Sequence, residues 1–149
     1  MALKNKSRFH NSGFTMIEII AIMTIISIIT VVAISKLSST TSYNLISETD
    51  IVKNHLRYAQ LRAMSDDVPW GILFSSNSYT LLKNGITATT NLPNESSPMH
   101  NLQNGVSITS GAGSTISFDN WGSPGITDNT IILSDSQTIT VTKNTGFIQ

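Results

Sequence analysis

The chain has 149 residues, enough for one domain and one appendage. Nine Lys and Arg balance nine Asp and Glu, so there is no basic excess for broad phosphate neutralisation, and nucleic acid is not an expected partner. The absence of cysteine excludes a disulfide scaffold, a thiolate zinc site and a cysteine nucleophile.

The first 36 residues differ from the rest. Residues 1–13 carry Lys4, Lys6 and Arg8 and no acid. Residues 14–34 then form an apolar run of 21 residues whose one charge is Glu18. At ~1.5 Å per residue such a helix reaches about 31 Å, roughly the thickness of a bilayer core. The basic start predicts a cytoplasmic N-terminus and an outward C-terminal part. Without residues 1–13 the remaining chain carries a net charge of −3. An ordinary secretory signal has a shorter apolar core than this, and Ala33-Ile34-Ser35 is a weak cleavage match. A plain single-span anchor fits the length but leaves Glu18 without a purpose. A carboxylate at the centre of a spanning helix costs about 2.5–3.5 kcal/mol. Near the end it costs less, yet it still calls for a partner.

Gly13-Phe14-Thr15-Met16-Ile17-Glu18 resembles the class III signal of type IV pilins and pseudopilins. That resemblance implies a prepilin peptidase that cuts after Gly13 and N-methylates the new terminus, Phe14. Glu18 matches the family's glutamate at the fifth mature position, where it aligns subunits in a filament. Cutting there removes the basic tether and keeps the anchor. It also creates an α-amino cation beside apolar side chains, and a low dielectric strengthens its pairing with Glu18. Thr24, Ser27 and Thr30 are tolerable in lipid because each hydroxyl can bond back to a helix carbonyl.

No Pro or Gly falls between Phe14 and Val68, so the helix is expected to continue beyond the membrane. Ser38-Ser39-Thr40-Thr41-Ser42 is its weak point. Leu45, Val52, Leu56, Ala59 and Ala63 form an apolar stripe at helical spacing. Glu48, Asp50, Lys53, Arg57 and Arg62 are read as mostly off that stripe, and His55 as a solvated or partly packed residue. Pro69 stops the helix.

From Trp70 onward the pattern is β. Residues 70–74 and 78–82 flank Ser75-Ser76-Asn77 as a hairpin, and Asn84-Gly85 is a turn. Residues 86–104 read as a long loop with one edge strand. Residues 106–108, 115–118, 130–133 and 137–142 read as strands, and Phe147-Ile148 as a closing strand. Alternation of apolar residues with Ser and Thr implies one buried and one wet face. The expected fold is α+β: a long N-terminal helix whose amphipathic half packs on one antiparallel sheet. The boundaries expected are a cleaved leader at 1–13, a membrane and filament-core helix at 14–35, an amphipathic continuation at 36–68, and a β domain at 69–149.

This half resembles the GspH/FimT-like minor pilins and MSHA-type pilin proteins, through residues 55–64 with Trp70-Gly71-Ile72, Ile116 to Gly122, and Thr140 to Ile148. The resemblance leaves residues 86–114 unmatched.

No catalytic constellation is evident, so an enzyme is not expected. His10, His55 and His100 fit no zinc or catalytic spacing, and there is no G-x-S-x-G or phosphate-cradling loop. No cofactor is expected. Asp119, Asp128 and Asp135 are the one set calcium could use, although Asp in turns is usually a local cap. Trp121 either folds over the core, the commoner arrangement, or is an exposed contact for a neighbouring subunit or substrate. The family resemblance implies a non-enzymatic minor pilin or pseudopilin of a type IV pilus or type II secretion pseudopilus. Its partners would be the peptidase, other pilin subunits, an inner-membrane assembly platform and the inner membrane itself. The C-terminal domain would lie in the periplasm. A DNA-uptake role is disfavoured, because after Arg62 only Lys83 and Lys143 oppose six acids. The rival is a single-span anchored binding or sensor domain that enters no filament.

Overall fold

The computed structural model describes residues 13–37 and 40–149. The basic leader through residue 12 and the Ser38-Ser39 weak point lie outside the described residues. The chain divides into two units between residues 39 and 40.

The first unit contains helix α1, Met16–Leu37. Its segment Met16–Ile34 is long and apolar enough to cross a membrane, and none of it is buried. The hydroxyls of Thr24, Ser27 and Thr30 donate to the carbonyls of Ala21, Met23 and Ile26 at 2.8, 2.8 and 2.7 Å. Each of these three hydroxyls is thus satisfied locally.

The second unit begins with α2, Thr40–Asp66, followed by eight strands. The expected stripe of Leu45, Val52, Leu56, Ala59 and Ala63 is buried in the core. Burial of each Leu or Val contributes about 1.5–3 kcal/mol. After Asp66 the backbone of Asp67 turns left-handed (φ 54°), and Pro69 follows.

Strands β1 (Trp70–Phe74) and β2 (Ser78–Lys83) form the expected hairpin, in register from Trp70↔Lys83 to Phe74↔Tyr79. Asn84 (φ 52°) and Gly85 (φ 78°) then link β2 to β3 (Ile86–Thr87), the two positive φ values a two-residue I′ turn requires. β4 (Met99–Asn101) pairs with the other end of the same β2 edge. β6 (Thr115–Phe118) pairs with β1 on its far side. Gly71 is required at that seam, since a Cβ there would stand 2.5 Å from the Ile116 carbonyl oxygen.

The single expected sheet is in fact two. β5 (Ile108–Ser110), β7 (Asn129–Leu133) and β8 (Thr138–Val141) make a separate three-stranded sheet. Ile148 bridges to Val141 as the closing segment. The strand expected at 106–108 begins at Ile108, because the Val106 amide donates to the Gln103 carbonyl (3.0 Å) across a turn with Asn104 and Gly105 at positive φ. Buried residues of both sheets, including Ile72, Phe118, Ile131 and Val141, join the α2 stripe in one core.

Two further expectations are corrected. Glu48 and His55 lie among the buried residues of α2, although charge and polarity suggested the wet face. Each is held by polar partners donated from the loop and β2, which sequence spacing does not reveal.

Candidate assembly site

Gly13, Phe14 and Thr15 precede α1 without helical structure and are exposed. Among the described residues, nothing stands within 4 Å of where a Gly13 side chain would begin. The bond after Gly13 therefore lies in accessible, non-helical backbone. Glu18 sits one turn later. Its amide donates to Thr15 Oγ1 at 3.3 Å, and its Oε2 accepts from the Thr15 amide at 3.5 Å. This reciprocal pattern, with a long second contact, is a capping box spelled Thr-x-x-Glu. The Glu18 and Ile19 amides also donate to the Thr15 carbonyl, at 3.1 and 3.2 Å. Sequence reasoning singled out Glu18 but missed this cap, although Thr15 three residues upstream was its signal. In the uncut chain the Phe14 nitrogen is an amide, so no α-amino cation exists to pair with Glu18.

The second exposed feature is Trp121, which is 82% accessible. It does not fold over the core, the arrangement expected to be commoner. The Asp119 carboxylate explains why: its Oδ1 accepts from the amides of Trp121 (2.9 Å) and Ser123 (2.8 Å), and the Gly122 amide donates to the Asp119 carbonyl at 2.9 Å. The loop is anchored from below by Gln60 on α2. Its Nε2 donates to the carbonyls of Gly122 (2.8 Å) and Gly146 (3.0 Å). Gln60 carries no sequence signal of this role, since a single polar residue beside a helix stripe reads as solvated.

The three aspartates considered for calcium serve separate local roles. Asp119 caps the Trp121 loop, Asp128 Oδ1 accepts from the Lys143 amide at 2.7 Å, and Asp135 sits at φ 52° in a short 3-10 turn. Among the described residues no group of three or more His, Asp and Glu is placed to hold a metal.

The buried polar residues gather elsewhere. His55 Nε2 lies 3.0 Å from the Pro93 carbonyl and Nδ1 lies 2.7 Å from the Tyr79 hydroxyl. A carbonyl only accepts, so Nε2 carries the proton and Nδ1 accepts from the Tyr79 hydroxyl. Burial lowers the His55 pKa and pushes the Tyr79 phenol up, which keeps both neutral and fixes that direction. His100 stands beside them, bonded to Glu48 and Glu95.

The profile described as the prokaryotic N-terminal methylation motif matches residues 8–34. Crystal structures of the type IV minor pilin FimU from Pseudomonas aeruginosa (strain PAO1), in two crystal forms, are similar to the chain. They give TM-scores of 0.53 and 0.50, cover 74% and 70% of this chain, and are covered over 90% of their own length. The chain has a type IV pilin-like fold behind a prepilin-type methylation motif. Sequence identity to both structures is 16%, so the likeness is one of fold. No curated protein matches the sequence.

Proposed function

We propose that this pilin-like chain is a structural, non-enzymatic filament subunit: a minor pilin of a type IV pilus or a pseudopilin of a type II secretion system. The observation that carries this reading is α1. It is an apolar helix of spanning length, and its one carboxylate stands five residues after an exposed Gly13. A prepilin peptidase would cut after Gly13 and methylate Phe14. The helix would act first as the inner-membrane anchor and then as part of a filament core, with residues 40–149 displayed on the periplasmic side. The freed Phe14 amine would pair with Glu18 of the same chain or of a neighbour as subunits align.

One observation favours the rival reading, a single-span anchored domain outside any filament. The Thr15 cap already gives Glu18 a local use. Two substitutions separate the roles. Gln at this position keeps a capping box but removes the charge, whereas Ala removes both. In a host with a pilus or pseudopilus machine, Glu18→Gln is expected to be processed normally and yet fall at least tenfold in the sheared filament fraction, as is Glu18→Ala. Normal recovery of Glu18→Gln would limit Glu18 to capping and contradict the alignment role.

A further inference from the structure

Residues 88–101 belong to the stretch expected to be a long loop with one edge strand, and they cover the outer edge of β2. The Ala88 amide donates to the Leu81 carbonyl at 2.9 Å, and the Leu81 amide donates to the Pro98 carbonyl at 2.8 Å. β4 pairs Met99 with Thr80. Leu92 is seated in the core. One side chain from this segment reaches back to α2. His100 is 5% exposed, with Nε2 3.0 Å from Glu48 Oε2 and Nδ1 2.5 Å from Glu95 Oε1. Glu48 is itself buried, and Glu95 is partly covered.

The proton inventory of this cluster is restrictive. A neutral imidazole offers one donor and one acceptor, whereas an ionised carboxylate only accepts. His100 meets a carboxylate oxygen at each ring nitrogen, so both nitrogens must donate, or one carboxyl must hold a proton. A doubly protonated ring donates to both carboxylate oxygens and offsets their charge, which places the proton on the ring. His55 cannot relieve the demand, because its own two nitrogens are committed to Pro93 and Tyr79. The titratable groups that face His100 are Glu48 and His55 from α2, Glu95 from the loop, and Tyr79 from β2, whose ring centroid is 5.0 Å away.

We propose that doubly protonated His100 is a clasp between Glu48 and Glu95 that holds residues 88–101 on α2, and that loss of one ring proton opens it and bares the outer edge of β2. Deprotonation sets a nitrogen lone pair against a buried carboxylate, so the closed form binds one more proton than the open form. Closure therefore weakens as pH rises. The open state frees Leu92 and the Leu81 amide, an unpaired strand edge of the kind other chains join. The clasp does not depend on how the N-terminus is processed.

The test uses the full chain in detergent micelles. Histidine-selective nitrogen NMR at pH 6 is expected to find protons on both His100 nitrogens and on Nε2 alone of His55. Hydrogen exchange of peptides covering residues 78–101, divided by the intrinsic rate, is expected to rise as pH is raised. Glu48→Gln is expected to abolish that slope with the fold intact, because an amide can face either form of the ring. A singly protonated His100 ring in the closed form would overturn the proposal. So would exchange independent of pH in the parent chain, or an unchanged slope in Glu48→Gln.

Discussion

Single residues decide what this chain presents to others. Asp119 spends one oxygen on two backbone amides, and Trp121 is thereby held out on an ordered turn. An exposed Trp on a preordered loop loses little entropy when a partner covers it. We propose that it contacts a neighbouring subunit in the filament. Trp121→Ala is then expected to change unfolding free energy by less than about 0.5 kcal/mol, as for an exposed side chain without structural partners. The same substitution is expected to lower recovery in the filament fraction several-fold. Loss of thermal stability with full recovery in filaments would contradict that role. At this scale the sequence was only partly legible. Glu18 stands out from its apolar neighbours by chemistry alone, whereas Gly13 is marked only by the resemblance to the class III signal. The exposure of Trp121 depended on where one carboxylate found its donors, and the role of Gln60 on two loops more than 60 residues away in sequence.

At the scale of elements, pattern and structure agree where one periodicity dominates. The α2 stripe, the first hairpin and the Asn84-Gly85 turn were all readable, because side-chain period and turn chemistry are local properties. The division into two sheets was not, since strand alternation specifies a buried face without naming the neighbour. His55 and Glu48 were misread for the same reason: their partners come from β2 and the 88–101 loop. The His55 contacts also set a pH dependence. Burial lowers the folded His55 pKa, while the unfolded side chain titrates near about 6.5. The unfolded chain therefore takes up the proton first as pH falls. The His55 contribution is complete above about pH 6.5 and is lost progressively below it. Melting temperatures of the full chain are expected to decline from pH 7 to pH 5, and the decline is expected to shrink in His55→Gln. An equal decline in both would assign the acid sensitivity to other groups.

At the scale of the whole molecule, two parts serve different solvents. Residues 16–34 are apolar on every side, whereas residues 40–149 bury a continuous core of their own. A helix that is apolar around its whole circumference is stable in lipid or among other helices. The methylation motif over residues 8–34 and the pilin-like fold of the remainder are consistent with a helix that passes from one to the other. The proposed function requires that the chain be made as a precursor and cut after Gly13. Intact mass and N-terminal sequencing of the membrane-extracted protein, from cells with and without an active prepilin peptidase, test it most directly. The account predicts a chain that begins at Phe14 and is one methyl group heavier, found only where the peptidase is active. A chain that retains residues 1–13 beside an active peptidase would contradict it.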